Sequence, residues 1–178
     1  MSFNITWKTH AACFILSIIV SFAFVDVMYS SFLYLLSAYR LLNITGNFVA
    51  DASLIVILLM IPVIILHEAL HGLCYISFGG KIRFGFKGIY AYCQETSGIK
   101  LLRIKFLIVL LVPVTLISIL SLFIPVYFGS LIFIMNLVGS TGDLVMALYL
   151  VGIDNNSYIL DTKNGFEVID AKAVEKLQ

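Results

Sequence analysis

His67-Glu68-Ala69-Leu70-His71 sets two imidazoles four residues apart, with a carboxylate between them. On a helix, positions i and i+4 share a face about 6 Å apart along the axis, so both rings can reach one ion. Zinc accepts imidazole nitrogen, and a glutamate in this setting lies beside the open coordination position, where it can take a proton from bound water. The chemistry is metal-assisted hydrolysis, with His67 and His71 as metal ligands, Glu68 as general base and Zn2+ as cofactor. Ahead of these residues, positions 54–66 carry no polar side chain. Ionisable groups at membrane depth are costly and usually functional. A polar knot that merely ties helices together is the bland alternative, and three ionisable groups within five residues argue against it.

A catalytic zinc takes three protein ligands and one water, so another residue must complete the set. Asp143 is the only acidic residue in the last apolar segment. At 1.5 Å per residue, His67 lies about 28 Å from the outer end of its helix and Asp143 about 24 Å from the outer end of its own. Asn136, Ser140 and Asp143 share one stripe, and Gly139 and Gly142 would let helices approach closely there. Zinc at +2 with Asp143 and Glu68 sums to zero, which limits the cost of burial. A helix-packing acid is the alternative for Asp143. Asp26 lies too far toward the outer half to be a ligand and reads as a structural or interfacial acid. Cys74, three positions after His71, reads as a packing residue, and His10 as an interfacial one.

The elements that must hold these groups follow from composition. Hydrophobic residues make up 61% of the 178 and charged residues 12%, against about 45–50% and about 25% in ordinary globular domains. Lipid can solvate that apolar surface and water cannot. Four apolar segments, 11–39, 48–78, 101–124 and 130–151, are each long enough to cross a bilayer. The fold class is an α-helical integral membrane protein with about four transmembrane helices. Residues 1–151 form the membrane domain and 152–178 a short cytoplasmic tail. The loop after the second span carries Lys81, Arg83, Lys87, Lys100, Arg103 and Lys105 against Glu95, so it and both termini face the cytoplasm. Alternation at 82–87 predicts a β-hairpin in this loop. Asn164-Gly165 predicts a second hairpin in the tail, with a short helix beginning at Asp170. A net charge of +1 and the lack of a basic run give no reason to expect nucleic acid. The three cysteines have neither pairing nor metal spacing.

Several of these residues carry a resemblance. His67-Glu68-Ala69-Leu70-His71-Gly72, Phe78-Gly79-Gly80-Lys81, Phe84-Gly85-Phe86, Gly142-Asp143 and the Asp161…Gly165-Phe166-Glu167 tail resemble the bacterial "putative zincin peptidase" membrane family, a distant relative of the site-2 proteases. The likeness runs from about residue 51 to 169. It implies a multi-pass protein of the bacterial plasma membrane that hydrolyses peptide bonds near the cytoplasmic face. Zinc would be held by His67, His71 and Asp143, with Glu68 as base and Asn136 in a supporting role near substrate. Asp143 departs from the site-2 pattern by following Gly142, without the Leu-Asp-Gly setting. The expected partners are membrane lipid and a transmembrane or membrane-proximal peptide. An extended peptide could pair with the hairpin edge that carries Phe84 and Phe86, although an interfacial ribbon reads equally well. Two other classes fit the composition: a catalytically silent scaffold that binds membrane segments, and a small metal or solute transporter. The short chain and the lack of two matching halves weigh against the transporter.

Overall fold

Asn47 folds back to begin the longest helix. Its side-chain oxygen accepts the N–H groups of Val49 and Ala50, which have no partner within a first helical turn. A computed structural model of the chain describes residues 2–39, 42–87 and 90–170. In chain order the elements are β1 (Ser2–Asn4), α1 (Trp7–Ala23), α2 (Val25–Ala38), α3 (Phe48–Ser77), β2 (Ile82–Lys87), β3 (Tyr90–Glu95), β4 (Lys100–Leu102), α4 (Arg103–Ser121), α5 (Val126–Gly139), α6 (Thr141–Val151), β5 (Tyr158–Thr162) and β6 (Gly165–Ile169).

The helices α3 and α4 are each long and apolar enough to cross a membrane. The first and last apolar segments are not single helices, as expected from the sequence, but bent pairs. They turn by 63° between α1 and α2 and by 54° between α5 and α6. Among the described residues the candidate spans therefore number two, or up to four if each bent pair is one crossing. Glycine and hydroxyl residues explain the second bend: the Ser140 hydroxyl donates to the Asn136 carbonyl and that of Thr141 to Val138, diverting backbone acceptors at the break. The first bend falls at Phe24, whose ring meets Phe133 edge-on. Boundaries also move. Residues 100–102 belong to β4 and not to the third span, and α5 starts at Val126, ahead of the expected 130.

All strands gather at one end of the helices. The expected hairpin β2–β3 follows α3, with Phe84 opposite Cys93, and its turn residues 88 and 89 lie outside the described residues. The tail hairpin is present and does not stand by itself. A four-stranded sheet runs in the order β1-β6-β5-β4, so residues near both ends of the chain pair with the segment leading into α4. At Gly165 (φ +132°) a Cβ would lie 2.1 Å from the Phe3 carbonyl oxygen, so only glycine lets β1 dock. Phe166 and Ile159 are fully buried beneath this sheet with Phe106, Leu110 and Leu150. Phe3 stacks on Phe166 with ring centroids 5.2 Å apart. The helix expected after Asp170 lies outside the described residues. At the opposite end, Tyr34 stacks on Tyr127 and Tyr29 packs against Phe48, so α2 reaches the starts of α3 and α5.

Candidate metal centre

His67 and His71 sit one turn apart on α3, 8% and 7% exposed. Asp143, in the first turn of α6, meets them just after the bend at Ser140. The Nε2 atoms of the two histidines are 3.1 Å apart, and Asp143 Oδ2 lies 3.0 Å from His67 Nε2 and 3.4 Å from His71 Nε2. Among the described residues this trio is the one group of three or more His, Cys, Asp or Glu side chains close enough to hold a metal ion.

The remaining ring atoms show what the trio is built for. His71 Nδ1 lies 2.9 Å from the Val109 carbonyl. A carbonyl only accepts, so Nδ1 carries the hydrogen. That carbonyl is free because the residue four positions later is Pro113, which has no N–H to return to it. His67 Nδ1 lies 3.1 Å from Asn136 Oδ1, while Asn136 Nδ2 donates to the Val114 carbonyl at 3.2 Å. The amide orientation is thereby set, and His67 Nδ1 is also a donor. With the hydrogen on Nδ1, each ring turns its Nε2 toward the Asp143 carboxylate, so that three potential ligand atoms converge on one point. A cation among the three would satisfy all of them at once. Zinc bound at about 2.0–2.1 Å in tetrahedral geometry places its ligands about 3.3 Å apart, matching the three distances. The donor set fits zinc.

Glu68 is half-buried beside the trio, with the Cys93 N–H of β3 directed at its carboxylate. Asn136, expected near substrate, is 1% exposed and spends both amide atoms on protein partners, so the contact it shows is to His67. Phe84 and Phe86 stand on β2, 54% and 83% exposed, and the Phe84 ring tip approaches Gly72 of α3. Gly139 and Gly142 do not mark a close helix contact: a Cβ at either would meet nothing within 4 Å. Asp26 is exposed in the first turn of α2 and belongs to no such cluster; Cys74 is half-buried against the core. Sequence reasoning passed over Pro113 and the Cys93 N–H. A proline in mid-span was a usable signal, since it frees a carbonyl one turn earlier, whereas the Cys93 contact needs the hairpin's placement.

No curated protein and no solved structure matches the chain. Residues 60–158 do match a protein family, one described as "putative zincin peptidase", whose name implies zinc. The matched stretch covers more than half of the 178 residues and includes His67, Glu68, His71, Asn136 and Asp143. With its donor triangle and this match, the chain belongs to the putative zincin peptidase family.

Proposed function

We propose that this protein is an intramembrane zinc metallopeptidase that hydrolyses peptide bonds of transmembrane or membrane-proximal substrates near the cytoplasmic face. The observation that carries this reading is the triangle of three potential ligand atoms from His67, His71 and Asp143 beside Glu68. Family membership supports the metallopeptidase part. The membrane part is supported by the apolar helices and by the path of the chain, which leaves the strand-bearing end twice and returns twice. Lys81, Arg83, Lys100 and Lys105 lie at or beside that end, which favours a cytoplasmic position for it and for both terminal segments. A multi-pass protein of a bacterial plasma membrane fits these features.

A zinc ion held by the three side chains would supply Lewis acidity, activating water and polarising the scissile carbonyl. Glu68 accepts the proton of the attacking water and returns it to the leaving amine, contributing about 10²–10⁴-fold. The Val109 carbonyl and Asn136 fix the tautomer and aim of the histidines. A helical peptide bond is shielded, so the substrate enters extended. In β2 the main-chain groups of Arg83 and Gly85 bond to β3, so those of Ile82, Phe84 and Phe86 point off the free edge. That edge can take an extended peptide.

Purified protein should hold about one zinc per chain. Glu68→Gln should keep that zinc and lower cleavage of synthetic transmembrane peptides in liposomes by about 10²–10⁴-fold. Metal-free protein with native helicity, or undiminished cleavage by Glu68→Gln, would overturn the assignment.

A further inference from the structure

Asp161 in the tail is far from the metal ligands in sequence and has no part in the chemistry above. In space it lies between α3 and the hairpin. Its Oδ2 accepts the Glu95 N–H at 3.0 Å, and its carboxylate also faces the hydroxyl of Tyr75, which is one turn beyond His71 on α3 and 4% exposed. Alternate N–H groups along a strand point to opposite edges. Thr96 N–H turns inward to the Lys81 carbonyl, so the N–H of Glu95 points off the outer edge of β3. Two residues earlier, the N–H of Cys93 leaves by the same edge, toward Glu68, and the Cys93 side chain packs beside Gly72, one turn beyond Glu68 on α3.

One edge of β3 is therefore tied to Asp161 at Glu95 and faces Glu68 at Cys93. The Glu95 side chain closes the base of the hairpin, accepting the N–H groups of Lys81, Ser97, Gly98 and Ile99 and the Ser97 hydroxyl. We propose that Asp161 is a positioning residue for Glu68: by tying β3 to Tyr75 of α3 it sets the strand so that the Cys93 N–H holds the carboxylate of the base. This rests on the role given to Glu68 above. Burial pushes the Asp161 carboxyl up to about 6, against the pull of the Glu95 N–H and the Tyr75 hydroxyl, with the charge of Glu95 adding to the rise. The groups holding it are N–H and O–H donors with no countercharge. An acid kept at that cost marks a site where an acceptor is required.

The test uses full-length protein in micelles with one equivalent of zinc, comparing amide hydrogen exchange at single residues with zinc content. Asp161→Ala should speed exchange of both the Glu95 and Cys93 amides by about tenfold or more, the worth of a lost hydrogen bond, with zinc unchanged. Asp161→Asn retains an acceptor oxygen and should restore the protection of Cys93. Glu167→Gln, on the exposed face of β6, should change neither. Release of Glu95 with Cys93 still protected overturns the proposal, and so does loss of zinc together with protection. If Asp161→Ala does not fold, Tyr75→Phe removes only the hydroxyl; faster Cys93 exchange supports the role, and an unchanged rate refutes it. Neither readout needs a substrate, so an absence of cleavage by the native protein would count against the peptidase reading alone.

Discussion

A proline in α4 decides which nitrogen of His71 faces the metal. Without an N–H at Pro113, the Val109 carbonyl stays open and receives the hydrogen of His71 Nδ1. Asn136 does the same for His67 through its side chain. Partners of this kind are commonly worth 10–100-fold in metal affinity. Asn136→Leu should therefore weaken zinc binding by about that factor in a competition titration, because His67 loses its acceptor altogether. Pro113→Ala should cost less, about tenfold at most, since the new N–H only competes for a carbonyl that has two lone pairs. Equal affinity in all three proteins would show that ring orientation is set by something else.

Among the elements, the seat of the hairpin on α3 depends on a close approach at Gly72. A Cβ on Gly72 would stand 2.7 Å from Ile82 Cδ1 and 2.9 Å from Phe84 Cζ. At an open helical site, replacing glycine by a helix former gains about 1 kcal/mol. Here a leucine side chain must push aside the Ile82 and Phe84 side chains that seat β2, and overpacking typically costs about 1–3 kcal/mol, so the crowding outweighs the propensity. Gly72→Leu is expected to lift the hairpin and speed trypsin cleavage at Arg83, leaving zinc stoichiometry near one. A cleavage rate like that of the native protein would mean that the strand is held elsewhere. The bend at Ser140 works at the same scale, since Asp143 reaches the histidines from a new helix start and not from the flank of a long one.

For the molecule as a whole, the tail closes the strand-bearing end of the bundle. Phe166 has no exposed surface and touches rings from β1, α4 and α6, with centroids 5.2 Å from Phe3, 5.3 Å from Phe106 and 5.8 Å from Tyr149. Emptying such a position typically costs about 3–5 kcal/mol. Phe166→Ala should lower the unfolding midpoint in micelles by an amount of that order, measured by tryptophan fluorescence from Trp7, the only tryptophan. A drop below about 1 kcal/mol would show that the sheet adds little to the bundle.

The nature of the metal site was written in local spacing: His67, Glu68 and His71 fall on one helical face whatever surrounds them, and a strongly apolar chain must put that face among other membrane helices. Asp143 was legible because acids are scarce in the last apolar segment, so elimination could find it. The hairpin at 82–95 and the strands of the tail showed through alternation and turn residues. What local pattern could not carry was every relation between distant segments. The bend at Phe24 has neither proline nor glycine to announce it. The pairing of β1 with β6 joins residues near opposite ends of the chain, and the links from Pro113 to His71 and from Asp161 through β3 to Glu68 exist only once helices and sheet are packed. Periodicity reports which face a residue occupies, and only the tertiary fold decides which atom of another element meets it there.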